Sequence, residues 1–243
     1  MRTLLLAAVA TAAMSAPALA ETAGSVGVGY MNTEYGNGFD YDTWSIDGSV
    51  FHRVAGPWAL QGQAHYESAN YHEFGTDHGS YLALHGLYQT DAVTAGLFIG
   101  EGGLFGDASA FKYWGAEGAY RFGDWSVDAY AIRRTGDSYP NHRYGVDAKY
   151  YFGDNISIGA GYARQDYGIN FDDWNAHAEW RLPSIPFTVS AGYYHWDADN
   201  GSNTNDWMLG IRWDFGSSTL REHDRTAPIP DLNNYIDDIR RWD

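Results

Sequence analysis

Apolar and polar residues alternate along most of this chain, most cleanly from Asn205 to Phe215. Trp207, Leu209, Ile211, Trp213 and Phe215 take every second position, and Asp206, Met208, Gly210, Arg212 and Asp214 fill the gaps. That spacing gives a strand with one apolar face and one mixed or charged face. The same period predicts eleven strands before it. The first six are about Ser25 to Asn32, Tyr41 to Phe51, Trp58 to Glu67, Ser80 to Gln89, Ala92 to Gly100 and Ala110 to Phe122. The next five carry Trp125, Val127 and Ala129; Tyr144, Val146 and Ala148; Ile156, Ile158 and Ala160; Trp174, Ala176 and Ala178; and Phe187, Val189 and Ala191 on their apolar faces.

The connections alternate in length. Short ones follow the even strands (Val54 to Pro57, Thr90-Asp91, Gly123-Asp124, Gly153-Asp154, Pro183 to Pro186), and longer polar ones follow the odd strands (Ser68 to Gly79 and Asp197 to Thr204 among them). A Greek-key sandwich has no reason to alternate so regularly. An up-and-down barrel in a membrane does, with short turns at one end and long loops at the other. Over the six later strands the apolar phase carries no charge, whereas the interleaved phase carries Asp128, Asp147, Lys149, Glu179, Arg181, Arg212 and Asp214. One Arg or Lys at mid-bilayer on the lipid face costs about 2–4 kcal/mol, a penalty that keeps such a face clean. The expected fold is all-β: a transmembrane antiparallel up-and-down barrel of about 12 strands over residues 21–215, with short periplasmic turns and longer extracellular loops.

Composition adds to this picture. Residues 1–20 read as a signal peptide: Arg2, then the apolar run Leu4 to Ala13, then Ala18-Leu19-Ala20 as a cleavage site. Glycine is frequent at 29 and aromatics reach 16%, which suits strands. No cysteine is present, so no disulfide framework is expected. A net charge of -16 argues against binding nucleic acid through phosphate neutralisation. Residues 216–243 form a polar periplasmic tail in which Leu232, Tyr235, Ile236, Ile239 and Trp242 fall near one helical face, with Asp231 as N-cap.

The exported start, the repeated Phe-Gly-Asp turns (Phe122-Gly123-Asp124 and Phe152-Gly153-Asp154), the aromatic strand ends and the closing strand together resemble a Gram-negative outer-membrane β-barrel, most of all a small porin. The resemblance implies an outer-membrane location among lipid and lipopolysaccharide. It also implies Phe215 as the assembly signal read by the barrel assembly machinery, although here the chain continues past it. Homo-oligomer contacts through outward Ala and Gly on the sixth, seventh and tenth strands are a further implication.

The candidate site is the inward phase: Asp47, Gln61, Gln63, His65, Glu67, His85, Glu117, Arg121, Asp128, Arg143, Asp147, Lys149, His177, Glu179, Arg181, Arg212 and Asp214. The leading expectation is a porin-like channel for passive passage of ions or small hydrophilic solutes, with no enzyme chemistry, cofactor or metal. The alternative is a closed structural barrel acting through its extracellular loops. A third reading is a lipid hydrolase using Ser80 as nucleophile and His78 as base at the outer rim, on the lipid side with Leu82 and Leu84. Asp197, Asp199, Asn200, Asn203, Asn205 and Asp206 suggest a calcium loop, but Gly201 stands where an EF-hand needs a ligand.

Overall fold

The computed structural model describes residues 22–36, 38–103, 111–135, 141–166 and 170–226. Both the signal segment and the amphipathic pattern of 231–242 lie outside them. Twelve strands form: β1 (Thr22–Tyr35), β2 (Asp40–Ala55), β3 (Trp58–Asn70), β4 (Thr76–Gln89), β5 (Val93–Gly102), β6 (Phe111–Phe122), β7 (Trp125–Thr135), β8 (Asn141–Tyr151), β9 (Ile156–Asp166), β10 (Asn170–Arg181), β11 (Phe187–Ala198) and β12 (Asn203–Phe215). A short helix, α1 (Leu220–Thr226), follows. Each strand pairs antiparallel with its sequence neighbours, and β1 pairs with β12, so the sheet closes and no edge is left in lipid.

The phases fall as the alternation requires. Val28, Ile46, Leu84, Leu97, Ile99, Val146, Ile158, Leu209 and Ile211 are exposed on the outer surface. Aromatics flank them in two belts. Five strands repeat an aromatic pair six residues apart: Trp114 and Tyr120, Tyr144 and Tyr150, Trp174 and Trp180, Phe187 and Tyr193, Trp207 and Trp213. Six residues of strand span roughly 20 Å, about what a tilted strand needs between two membrane interfaces. Neighbouring rings touch within each belt, as in Tyr193–Trp207 with centroids 4.7 Å apart and Trp125–Tyr150 at 4.9 Å. No helix among the described residues is long and apolar enough to cross a membrane.

The strands on the long-loop side run further than the apolar pattern predicts. β3 continues to Asn70 and β4 begins at Thr76, which leaves Tyr71 to Gly75 and one 3₁₀ turn, His72–Phe74, where sequence suggested a twelve-residue loop. Backbone pairing persists from Ala69↔Asp77 to Asn70↔Thr76. Above the bilayer the ladder no longer needs an apolar face, so the pattern fades before the strand ends.

Candidate functional site

All fifteen charged or histidine residues singled out on the interleaved phase project inward. Eight of them line one cavity of about 200 Å³: Asp47, Asp128, Arg143, Asp147, Lys149, His177, Glu179 and Arg212. They come from β2, β7, β8, β10 and β12, and the cavity extends down to His223 and Asp224 of α1. The other seven are built into the wall. His85 Nδ1 lies 2.8 Å from Glu117 Oε1 with the imidazole fully buried. His65 sits 3.3 Å from Glu67 and stacks on Tyr81. Arg121 donates to Thr94 Oγ1 at 3.1 Å, and Arg181 donates to Asp214 at 3.1 Å.

Within the cavity the basic groups are engaged. Glu179 accepts from Lys149 Nζ at 2.8 Å and from Arg212 Nη1 at 3.0 Å. Arg212 Nε donates to Asp214 at 2.6 Å. Arg143 pairs with Asp173 and donates to the Tyr130 hydroxyl at 3.1 Å. The carboxylates Asp47, Asp128 and Asp147 have no such cation. Among the described residues Asp147 has His177 at 3.8 Å and Asp128 has the Ser126 hydroxyl at 3.2 Å, while Asp47 meets no ion-pair partner.

One inward sector escaped the sequence reading, which followed only polar residues on that phase. Tyr81, Phe98, Phe111, Tyr113, Tyr130 and Ile132 point into the barrel and pack with Ala83 and Ala163. The register explains how they fit. Phe98 lies opposite Gly115, Tyr113 opposite Gly100, and Tyr130 opposite Gly145. Each ring lies flat over the glycine facing it; a Cβ on Gly145 would stand 2.6 Å from the Tyr130 hydroxyl.

The mouth on the short-turn side carries the second missed element. Thr219 caps α1 by accepting the Glu222 amide at 3.1 Å, and Glu222 reaches back to the Ser218 amide at 2.7 Å and its hydroxyl at 2.6 Å. Thr219-x-x-Glu222 is a capping-box signature, the sequence signal that would have placed this helix. Those two bonds from Ser218 hold the Glu222 carboxyl below its ordinary value. Leu220 is fully buried, and Arg221 reaches Asp124 at 2.8 Å. Asp224 accepts from Lys149 at 3.1 Å and from the Tyr151 hydroxyl at 2.8 Å. Burial, aided by the positive charge of Arg212, holds the His223 imidazole below its ordinary value.

The hydrolase pair does not assemble in the form the sequence suggested. Ser80 is fully buried, not presented to lipid, and the exposed His78 sits 3.0 Å from the Tyr66 hydroxyl. The acidic calcium-loop candidates are split as well. Asp206 points inward and is buried, Asp197 lies 3.1 Å from His195, and Asn205 takes the Tyr193 hydroxyl at 2.6 Å. Among the described residues no group of His and acidic side chains could hold a metal ion.

Comparison with known proteins bears on this architecture. A family model described as Gram-negative porin matches residues 126–221. That span covers β7 to β12 and seven of the eight sequence-predicted charged or histidine residues that line the cavity, all but Asp47. In fold this chain is a closed twelve-stranded barrel of the porin-like type, and the family match spans less than half of it. The porin-like barrel is similar in structure to the KdgM porin (TM-score 0.55, 12% identity, 78% of this chain and 99% of that one). It is also similar to the NanC porin (TM-score 0.57, 10% identity, 76% and 98%) and to the CymD monoaromatic hydrocarbon channel (TM-score 0.56, 10% identity, 84% and 89%). At these identities the likeness concerns the fold. None of the curated proteins matches the porin-like barrel in sequence.

Proposed function

We propose that the barrel passes small hydrophilic solutes and ions across the outer membrane, with a preference for cations. The observation that carries this reading is the charged cavity, in which Arg143, Lys149 and Arg212 are ion-paired whereas Asp47, Asp128 and Asp147 make no ion pair with Arg or Lys among the described residues. Unbalanced carboxylates on low-dielectric walls raise the local concentration of cations and repel anions. The solved relatives named as porins and channels support passage, and the lumen chemistry supplies the sign. Outward Phe215, which packs on Trp213 with centroids 5.4 Å apart, fits the proposed role as the assembly signal.

The test is single-channel recording of the full chain in a planar bilayer under a salt gradient. Discrete steps with a reversal potential displaced towards the cation potential are expected. A displacement towards the anion potential would overturn the selectivity, and silence at neutral and acid pH alike would turn the reading to a closed barrel that acts through its loops.

A further inference from the structure

The lumen is bounded below by a piece of its own chain. Gly216, in the left-handed region at φ 77°, turns the backbone from β12 towards the mouth. Arg181 Nη2 on β10 donates to the Ser217 carbonyl at 2.8 Å. At the other end of the helix, Gln89 Nε2 on β4 donates to the Arg225 carbonyl at 2.5 Å. In a ring of twelve strands β10 and β4 stand opposite each other, so the segment from Ser217 to Arg225 spans the opening. The turns below β6 and β8 hold it between: Asp124 takes Arg221, and the Asp154 carbonyl accepts the Arg221 amide at 3.0 Å.

We propose that α1 is a periplasmic gate, which closes the mouth when docked and opens the lumen when it swings out about Gly216, with protonation of His223 favouring release. This rests on the pore reading above and adds its regulation. A gate must be held firmly enough to close and weakly enough to leave. In α1 only Leu220 makes a fully buried apolar anchor; Arg221 lies over the Tyr151 ring, 5.7 Å from its centroid, and the other contacts named here are hydrogen bonds and ion pairs that water can replace. A permanent plug would be expected to bury an apolar face.

His223 is the sensitive point. Its side chain is nearly buried, with Nε2 3.6 Å from Asp214 and Nδ1 3.2 Å from the Ser217 hydroxyl. The charged groups around it are Arg212 and Asp214 on β12, Glu179 on β10, and Asp224 on α1 itself. The three carboxylates favour a proton on the imidazole, but burial and Arg212 oppose it and prevail. The released helix would return His223 to water and to an ordinary value of about 6.5. Released α1 therefore binds more protons than docked α1 below that pH, and acid shifts the balance towards opening.

The experiment compares the full chain with the full-length Arg221→Ala/Asp224→Asn variant and with His223→Gln. Bilayer conductance and hydrogen exchange of the Leu220–Thr226 amides, corrected for intrinsic rate, are followed at about pH 7.5 and about pH 5.5, on either side of the ordinary histidine value. The parent chain should be mostly closed at the higher pH. Its open probability and α1 exchange should rise severalfold at the lower one, because the released helix takes up a proton that the docked helix resists. The double variant should be open at both, and His223→Gln should lose most of the acid response. Equal conductance in parent and double variant, or an acid response that survives His223→Gln, overturns the gate and leaves the pore. Silence from every version while α1 exchange still rises removes the pore, and the gate with it.

Discussion

Two walls of one lumen are built on the same alternation and do different work. From β4 to β7 the inward positions hold Tyr81, Phe98, Tyr113, Phe111, Tyr130 and Ile132, and this wall is a packed core. Across the barrel, β2, β8, β10 and β12 present Asp47, Asp147, Lys149, His177, Glu179 and Arg212 to a cavity. Glycine serves both. On one side it lets aromatic rings lie flat; on the other, Gly161 lies beside the Asp147 carboxylate and the Asn175 amide. A barrel of this width is larger than its side chains must fill. Filling one wall with rings confines the free space to the charged wall, and a narrow path beside carboxylates discriminates charge better than a wide one.

If the aromatic wall is a true core, truncating it should cost the most. Phe98→Ala removes a ring that is 2% exposed and 5.2 Å from the His85 imidazole. The expected loss is about 3–5 kcal/mol, as for other buried Phe→Ala changes. Denaturant unfolding of the folded barrel in lipid vesicles measures it, and a loss below about 1 kcal/mol would show a ring that water already reaches.

The charged wall should lose less from a comparable lesion. Glu179→Gln leaves Lys149 and Arg212 without their shared carboxylate, although Asp224 and Asp214 still accept from them. With those partners remaining and the cavity at hand, the expected cost is about 1.5–3 kcal/mol, the range for hydrogen bonds to charged groups. A cost equal to that of Phe98→Ala, read by the same unfolding assay, would mean that both walls are structural.

The glycine pairing sharpens the comparison further. The three nearest atoms to a Cβ on Gly145 all belong to the Tyr130 side chain, at 2.6–2.7 Å. Gly145→Ala should therefore cost about 1–2 kcal/mol by overpacking. In a Tyr130→Ala background most of that cost should vanish, a coupling within the usual 0.5–3 kcal/mol range for touching residues, roughly speaking. Additive costs in the double-mutant cycle would mean that the ring does not rest on the glycine.

The alternation made one wall far easier to read than the other. Lipid tolerates no charge, so the outer face was legible from β7 to β12 as an uninterrupted apolar phase, and closure followed from strand number and turn lengths. The inward phase has no such rule, because either a ring or a carboxylate is acceptable there. Which residues meet depends on register: Phe98 finds Gly115, and Asp147 finds His177, only once strands are paired. α1 was missed for a different reason. Attention to helical spacing favoured Leu232 to Trp242, whereas α1 has one apolar anchor, Leu220, and docks through polar groups whose partners lie up to 136 residues away.

The smallest effect on stability should accompany the clearest effect on transport. Asp47 has no ion-pair partner among the described residues and Asp147 has only His177 at 3.8 Å, so neither carboxylate holds the wall together. Asp47→Asn and Asp147→Asn keep shape and remove charge. Unfolding free energies should stay within about 0.5 kcal/mol of the parent, as for substitutions away from packed or paired sites. The reversal potential under a salt gradient should move towards zero with each change, and further in the double variant, because the local field in a narrow path is the sum of its charges. A cation preference unchanged in the double variant would place the selectivity outside the cavity, at the acidic extracellular loops. The aromatic wall would then be shaping a path whose charged side does not choose the ion.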